Sequence, residues 1–282
     1  MVSAVSLVRK RDDKFGHRYL VACQGSPAGK TLLVFIHGAA GYAAYFRESM
    51  KYFAERGFVC VAPDITGHGE RAGDDVQNAR VSDYVLDMQS FITRIVRAEY
   101  PKQKMVLVGH SMGGLIAQKL AEDGMSHAVV LITPAPPEGV TYFPGKLIIP
   151  AWSDIGGILA MMFVKKPFTP SRKLVSSFFA DPTASKSVID EWCATPTLGE
   201  SLIALRELRM STTAVDRRRI NVPILVVGAS LDVVIHPRVA KNVATYFGAD
   251  HEEIPNLGHM CIIEAGWERT ALVIGVWLSK KC

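Results

Sequence analysis

Five short runs of β-branched and aliphatic residues, Leu32–Ile36, Val59–Ala62, Met105–Val108, Ala128–Ile132 and Ile224–Val227, punctuate the sequence. Unbroken apolar runs of this length read as strands buried on both faces, the pattern of a parallel sheet rather than of a half-solvated antiparallel one. Helical spacing lies between them. Val81, Tyr84, Val85, Met88, Ile92, Ile95 and Val96 recur at intervals of three and four and form one apolar stripe. Leu115, Ile116 and Leu120 begin a second helix, and Trp267, Ala271, Ile274 and Leu278 mark a last one. Strands alternating with helices imply right-handed crossovers and a doubly wound, mostly parallel α/β core. Two earlier segments, around Val5–Val8 and Tyr19–Cys23, are expected to add an antiparallel pair at one edge.

The alternation stops at Thr133. Between Pro134 and Val215 no clean strand pattern occurs, prolines are frequent, and short helical stretches surround Leu174-Val175, Val188 to Trp192 and Leu202 to Met210. The expected organisation is therefore a core of residues 1–133 and 216–282 with a helical cap inserted at 134–215. No run reaches the roughly 18 apolar residues of a membrane span. The longest, Ile155–Val164, ends at Lys165-Lys166. A net charge of +5 with no long basic run gives no reason to expect nucleic acid as a partner. Five scattered cysteines form neither a disulfide framework nor a metal-ligand spacing. Without a secretory h-region, free thiols point to the cytoplasm.

The chemistry is concentrated at Gly109-His110-Ser111-Met112-Gly113, directly after one strand and before one helix. In that context the motif is a nucleophile elbow: a strained turn presents the serine hydroxyl at the top of the sheet, near the positive end of the following helix. Serine needs a base. His259, in the loop after a short strand His251–Ile254, is the histidine placed to reach it. His110 is expected to point away from the hydroxyl, and His17, His127, His236 and His251 to be surface or loop residues. The base needs an acid to fix its tautomer. Asp232 lies just beyond the strand Ile224–Val227, at the sheet end where ligand and catalytic groups gather, whereas Asp250 precedes its strand. For the oxyanion of an acyl-transfer step, the loop His37-Gly38-Ala39-Ala40-Gly41 offers the Ala39 N–H, and the elbow offers the N–H of Met112.

Taken together, His37-Gly38, the stretch Asp64-Ile65-Thr66-Gly67-His68-Gly69, the elbow, Asp232 and Gly258-His259 resemble the α/β-hydrolase superfamily from about Leu32 to Leu278. The resemblance implies the chain order serine, acid, histidine and a serine esterase or lipase-like reaction that uses no metal and no organic cofactor. It also implies a small-molecule ester as partner, while the lack of a spanning apolar run points to no stable membrane insertion. Relatives that carry aspartate as nucleophile are set aside by Ser111. Carbon–carbon hydrolases usually carry asparagine before the serine, where this chain has His110. That activity, thioester cleavage and non-catalytic ligand binding stay as alternatives. The cap is rich in large apolar residues. Most are expected to form its own core, with Met161, Met162, Phe163 and Trp192 as candidates for an adaptable apolar acyl or aromatic pocket.

Overall fold

A computed structural model describes residues 5–12, 14–72, 76–141, 167–194 and 199–281, without the side chains of residues 11 and 12. Eight strands form one sheet: β1 (Val5–Asp12), β2 (His17–Gln24), β3 (Leu32–Ile36), β4 (Val59–Pro63), β5 (Met105–His110), β6 (Ala128–Ile132), β7 (Ile224–Ala229) and β8 (Asp250–Ile254). Their spatial order is β1-β2-β4-β3-β5-β6-β7-β8. β1 pairs antiparallel with β2 and β2 with β4; every other pairing is parallel. The doubly wound sheet and its antiparallel edge are thus both present.

The continuous apolar strands are explained by two cores, one on each face. In β3, Leu32, Val34 and Ile36 join one core and Leu33 and Phe35 the other. The first core takes in apolar residues of the helices Val81–Phe91, Met112–Glu122 and Pro237–Phe247, the second those of Arg47–Glu55 and Glu268–Lys281. With both faces covered, neither can carry a polar residue at low cost, so the period-two alternation of a surface strand is lost.

Two of these helices lie outside the sequence expectations. The helix Pro237–Phe247 carried usable signals: proline in its first turn, buried Val239, Ala240, Val243 and Ala244 at helical spacing, and Gly248 at φ 63° as its C-terminal stop. The helix Arg47–Glu55 buries Met50, Phe53 and Ala54, too short a stripe for periodicity alone to reveal. His17 corrects the histidine reading. It opens β2, is buried, and sets its ring edge-on to Phe91 with centroids 5.2 Å apart. His251 lies in β8, the short strand expected there, and is only half-buried.

Between β6 and β7 the described residues form the short helices Arg172–Ser176, Lys186–Ala194 and Leu202–Met210. An isolated bridge there pairs Phe168 with Glu200. No helix among the described residues is long and apolar enough to cross a membrane.

The strand order places the chemistry. From β3 the chain goes to β4 on one side and later returns to β5 on the other. Loops leaving β3 and β5 therefore diverge at the point where the winding reverses, the crevice that α/β sheets use for ligands. In register, Ile36 sits beside Gly109, so the loop that begins at His37 and the elbow start side by side.

Candidate active site

The elbow is built on close approach. Ser111 adopts φ 56°, ψ −119°, a conformation that costs on the order of 1–3 kcal/mol and persists only where its surroundings enforce it. A Cβ at Gly113 would lie 2.1 Å from the Ile36 carbonyl oxygen and 2.5 Å from that of His37; one at Gly109 would lie 2.2 Å from the Gly113 oxygen. Only glycine lets strand β5, the turn and the helix Met112–Glu122 nest this tightly. Gly113→Ala pushes on backbone rather than on a movable side chain. It is expected to cost about 3 kcal/mol and to lower Tm by roughly 10 °C. Calorimetry checks this; an unchanged Tm would mean that the backbone around the elbow yields to a methyl group.

Three loops leaving the C-terminal ends of β5, β7 and β8 bring their polar groups into one line. Ser111 Oγ lies 3.0 Å from His259 Nε2, and His259 Nδ1 lies 2.8 Å from Asp232 Oδ2. Because Nδ1 faces a carboxylate it carries the proton, and Nε2 offers its lone pair to the serine hydroxyl. Asp232 is itself fixed: Oδ1 accepts the Val234 N–H at 2.7 Å and the Ile235 N–H at 2.8 Å. Both Asp232 and His259 are buried. Asp250 lies elsewhere, accepting from Trp277 Nε1 at 2.7 Å.

The amides of Ala39 and Met112 have no acceptor among the described residues. Ala39 and Ser111 line the same pocket. The apolar wall of that pocket comes from Phe168, Pro170, Phe178, Trp192 and Leu205 of the segment between β6 and β7, with Val234 and Met260. Trp192 packs against Tyr45 and Phe178, with ring centroids 4.9 and 6.0 Å apart. Phe179 instead packs into the core beneath. Met161, Met162 and Phe163 lie outside the described residues.

Two other histidines near the site are held neutral. His110 places Nε2 2.9 Å from the His259 carbonyl, and burial, with His259 beside it, pushes its pKa down to about 3. His37 donates from Nδ1 to the Gly38 carbonyl and accepts the Ile65 N–H at Nε2, 3.0 Å. Burial and His68 hold it at about 3 as well. His110 and His37 therefore add no positive charge beside the His259 ring.

Two buried carboxylates that hold the site loops, Glu264 and Glu200, escaped the sequence reading. Glu264 accepts the Gly258 N–H at 2.6 Å and the Ala180 N–H at 2.8 Å, tying the loop of His259 to the segment between β6 and β7. Burial raises its pKa. Glu200 does a similar service for the loop after β3, through Ala40. Neither stands in a motif; a glutamate in an otherwise apolar or capping context was the only available sign.

Residues 27–265 match the family described as serine aminopeptidase, S33 (Hydrolase_4). The chain belongs to this family. Among curated proteins, this chain is 35% identical to Protein ABHD8 of Mus musculus over 117 residues, 40% of its own length and 25% of that protein. It is 30% identical to the monoglyceride lipase of Homo sapiens over 135 residues, 45% of this chain and 44% of the lipase. The matched stretches thus span less than half the length of either relative. Among solved structures, a putative aryl esterase from Burkholderia cenocepacia aligns with TM-score 0.72 and 18% identity over 98% of this chain and 99% of that one. The 2-hydroxy-6-oxo-6-phenylhexa-2,4-dienoate hydrolase of Rhodococcus aligns with TM-score 0.68 and 18% identity over 96% and 98%. At such identity the likeness is one of fold, that of the α/β-hydrolases.

Proposed function

We propose that this S33-family protein is a carboxylic ester hydrolase that works through an acyl-enzyme on Ser111. The observation that carries the reading is the unbroken line Asp232–His259–Ser111, at 2.8 and 3.0 Å, on the floor of an apolar pocket. Ser111 Oγ attacks the ester carbonyl while His259 Nε2 takes its proton. The carbonyl oxygen becomes an oxyanion within reach of the Ala39 and Met112 N–H groups. As the tetrahedral intermediate collapses, the C–O bond to the alcohol breaks and His259 returns the proton to the leaving oxygen. Water, deprotonated by the same imidazole, then attacks the acyl-enzyme and releases the acid and the free serine.

The wall supplied by Phe168, Phe178, Trp192 and Leu205 supports an apolar acyl or aromatic group next to the scissile carbonyl. The described residues between β6 and β7 act in this reading as part of a cap over the sheet's C-terminal end. The test is hydrolysis of p-nitrophenyl esters from acetate to palmitate, with the Ser111→Ala variant alongside. A serine-dependent rate with a chain-length optimum is expected. Absence of serine-dependent turnover on every ester would overturn the reading in favour of carbon–carbon bond cleavage or ligand binding alone. Trp192→Ala opens the wall and is expected to cut kcat/KM about 10-fold for the best ester and to move the optimum to longer chains. An unshifted optimum would remove Trp192 from the acyl site.

A further inference from the structure

Glu200 is fully buried, and each of its carboxylate oxygens is held by two donors. Oε1 accepts from Tyr84 Oη at 2.6 Å and from the Ser201 N–H at 2.8 Å. Oε2 accepts from the Ala40 N–H at 3.1 Å and from His68 Nε2 at 3.1 Å. The His68 ring has the Thr66 carbonyl on its other nitrogen, at 3.0 Å. With an acceptor on each side, both ring nitrogens carry protons, so His68 is a cation beside an anion. Burial opposes that charge, but the Glu200 carboxylate outweighs it and raises the His68 pKa. Burial likewise pushes Glu200 up, while His68, Tyr84 and the Ser201 N–H hold it below the usual glutamate value.

The backbone at Glu200 is itself locked, exchanging both hydrogen bonds with Phe168 at 2.7 and 2.8 Å. Its side chain thus reaches from the segment between β6 and β7 to the loop after β3. There it grips the residue next to Ala39. Ala40 has φ 51°, a conformation that a non-glycine residue keeps only under constraint. The Gly41 N–H bond to the Gly38 carbonyl, 3.1 Å, closes the turn around it.

We propose that Glu200 is a positioning residue for acyl transfer: it clamps the loop His37–Gly41 through Ala40 so that the Ala39 N–H meets the oxyanion, and thereby makes the oxyanion site depend on the seated Phe168–Glu200 segment. The proposal rests on Ser111 being an acylating nucleophile. His68 has a second part in it. An unpaired carboxylate so near a developing oxyanion would repel it, and the imidazolium on the same oxygen cancels that field.

All four partners of Glu200 are donors, two of them backbone N–H groups that cannot reverse. A glutamine therefore sets its NH₂ against either the Ala40 or the Ser201 N–H, whichever way it turns. Glu200→Asp keeps the charge opposite His68 but is one methylene short of Ala40. For both variants, kcat on the best p-nitrophenyl ester is expected to fall about 10- to 100-fold, the range for a displaced oxyanion donor, with KM within about 2-fold. Affinity for a trifluoromethyl ketone of the same acyl chain, which forms a tetrahedral adduct on Ser111, should fall by the same factor. Rates are referred to active sites titrated with a fluorophosphonate, so misfolded protein does not count.

Kinetic constants and ketone affinity within about 2-fold of wild type in folded Glu200→Asp would overturn the proposal, as would a loss confined to KM. If Glu200→Gln does not fold, the aspartate variant decides alone. If the wild type hydrolyses no ester yet takes the ketone and the fluorophosphonate, the ester reading fails and ketone affinity still tests Glu200.

Discussion

Ser111→Ala is expected to reduce ester turnover on the order of 10⁶-fold while leaving the protein folded. The size follows from what the line of hydrogen bonds does. Without Oγ there is no acyl-enzyme, and what remains is binding, the two N–H donors and general-base attack by water, which still exceeds the uncatalysed rate. The fold should tolerate the change. Alanine meets the same penalty at φ 56° as serine, and the turn is held by backbone bonds from the Ser111 N–H to the Ile132 carbonyl at 3.0 Å and from the Gly114 N–H to the Ser111 carbonyl at 2.9 Å. One lost side-chain hydrogen bond is worth about 1 kcal/mol, a few degrees of Tm in a chain of this size. Stopped assays with p-nitrophenyl esters and a thermal melt on the same preparation check both halves. A variant that keeps more than about a hundredth of the wild-type rate, four decades above the expected residue, would place the nucleophile elsewhere. Loss of rate together with loss of fold would say nothing about acylation, so the melt is part of the result.

The sequence carried the sheet and the line of the site because both are written in local signals. Buried strands such as Leu32–Ile36 have to be apolar on both faces, and the elbow has to have glycine where Gly113 passes under the Ile36 carbonyl. Asp232 and His259 were legible from their positions just beyond β7 and β8, and the structure brings His259 to Ser111 and Asp232 to His259. What stayed hidden depends on distant contacts. Glu200 bonds to Ala40 across 160 residues, and Glu264 bonds to Ala180 across 84. No spacing rule connects such pairs, since their meeting is decided by how the segment between β6 and β7 packs. His17 failed for a related reason: a histidine opening a strand carries no sign of the Phe91 ring it will pack on. Trp192 was singled out for its size and does face the pocket, while the neighbouring Phe178 and Phe179 divide between pocket and core by a difference of one position.

The site loops owe their rigidity to this hidden layer. The loop after β3 is held by Glu200, that of His259 by Glu264, and that of Asp232 by the aspartate's own bonds to Val234 and Ile235. In each case a carboxylate accepts backbone N–H groups that a loop would otherwise leave unpaired away from water. Glu200 and Glu264 also reach backbone of the segment that walls the pocket. In the proposed reading, substrate recognition and acyl transfer are consequently coupled: a substitution that loosens the wall is expected to be felt at the loop of Ala39 and at the loop of His259.

Asp232→Asn carries the second large effect, a fall of about 10⁴-fold in kcat with little change in stability. The orientation of the amide is decided by the loop. Oδ1 accepts two backbone N–H groups, at 2.7 and 2.8 Å, and only the asparagine oxygen can replace it there. The NH₂ group must then face His259 Nδ1, which has to accept. That puts the imidazole proton on Nε2, aimed at Ser111 Oγ, and removes the lone pair that takes the serine proton. The imidazolium formed during attack also loses its counter-charge. Turning the amide over would not help, because the NH₂ would then meet two N–H donors and leave both unpaired, at about 1–3 kcal/mol each. The fluorophosphonate labelling rate of Ser111 should drop alongside kcat, since both need the serine deprotonated, while KM stays near wild type. Retention of a tenth or more of the wild-type rate, three decades above the expected level, would show that the tautomer of His259 is set by something other than Asp232.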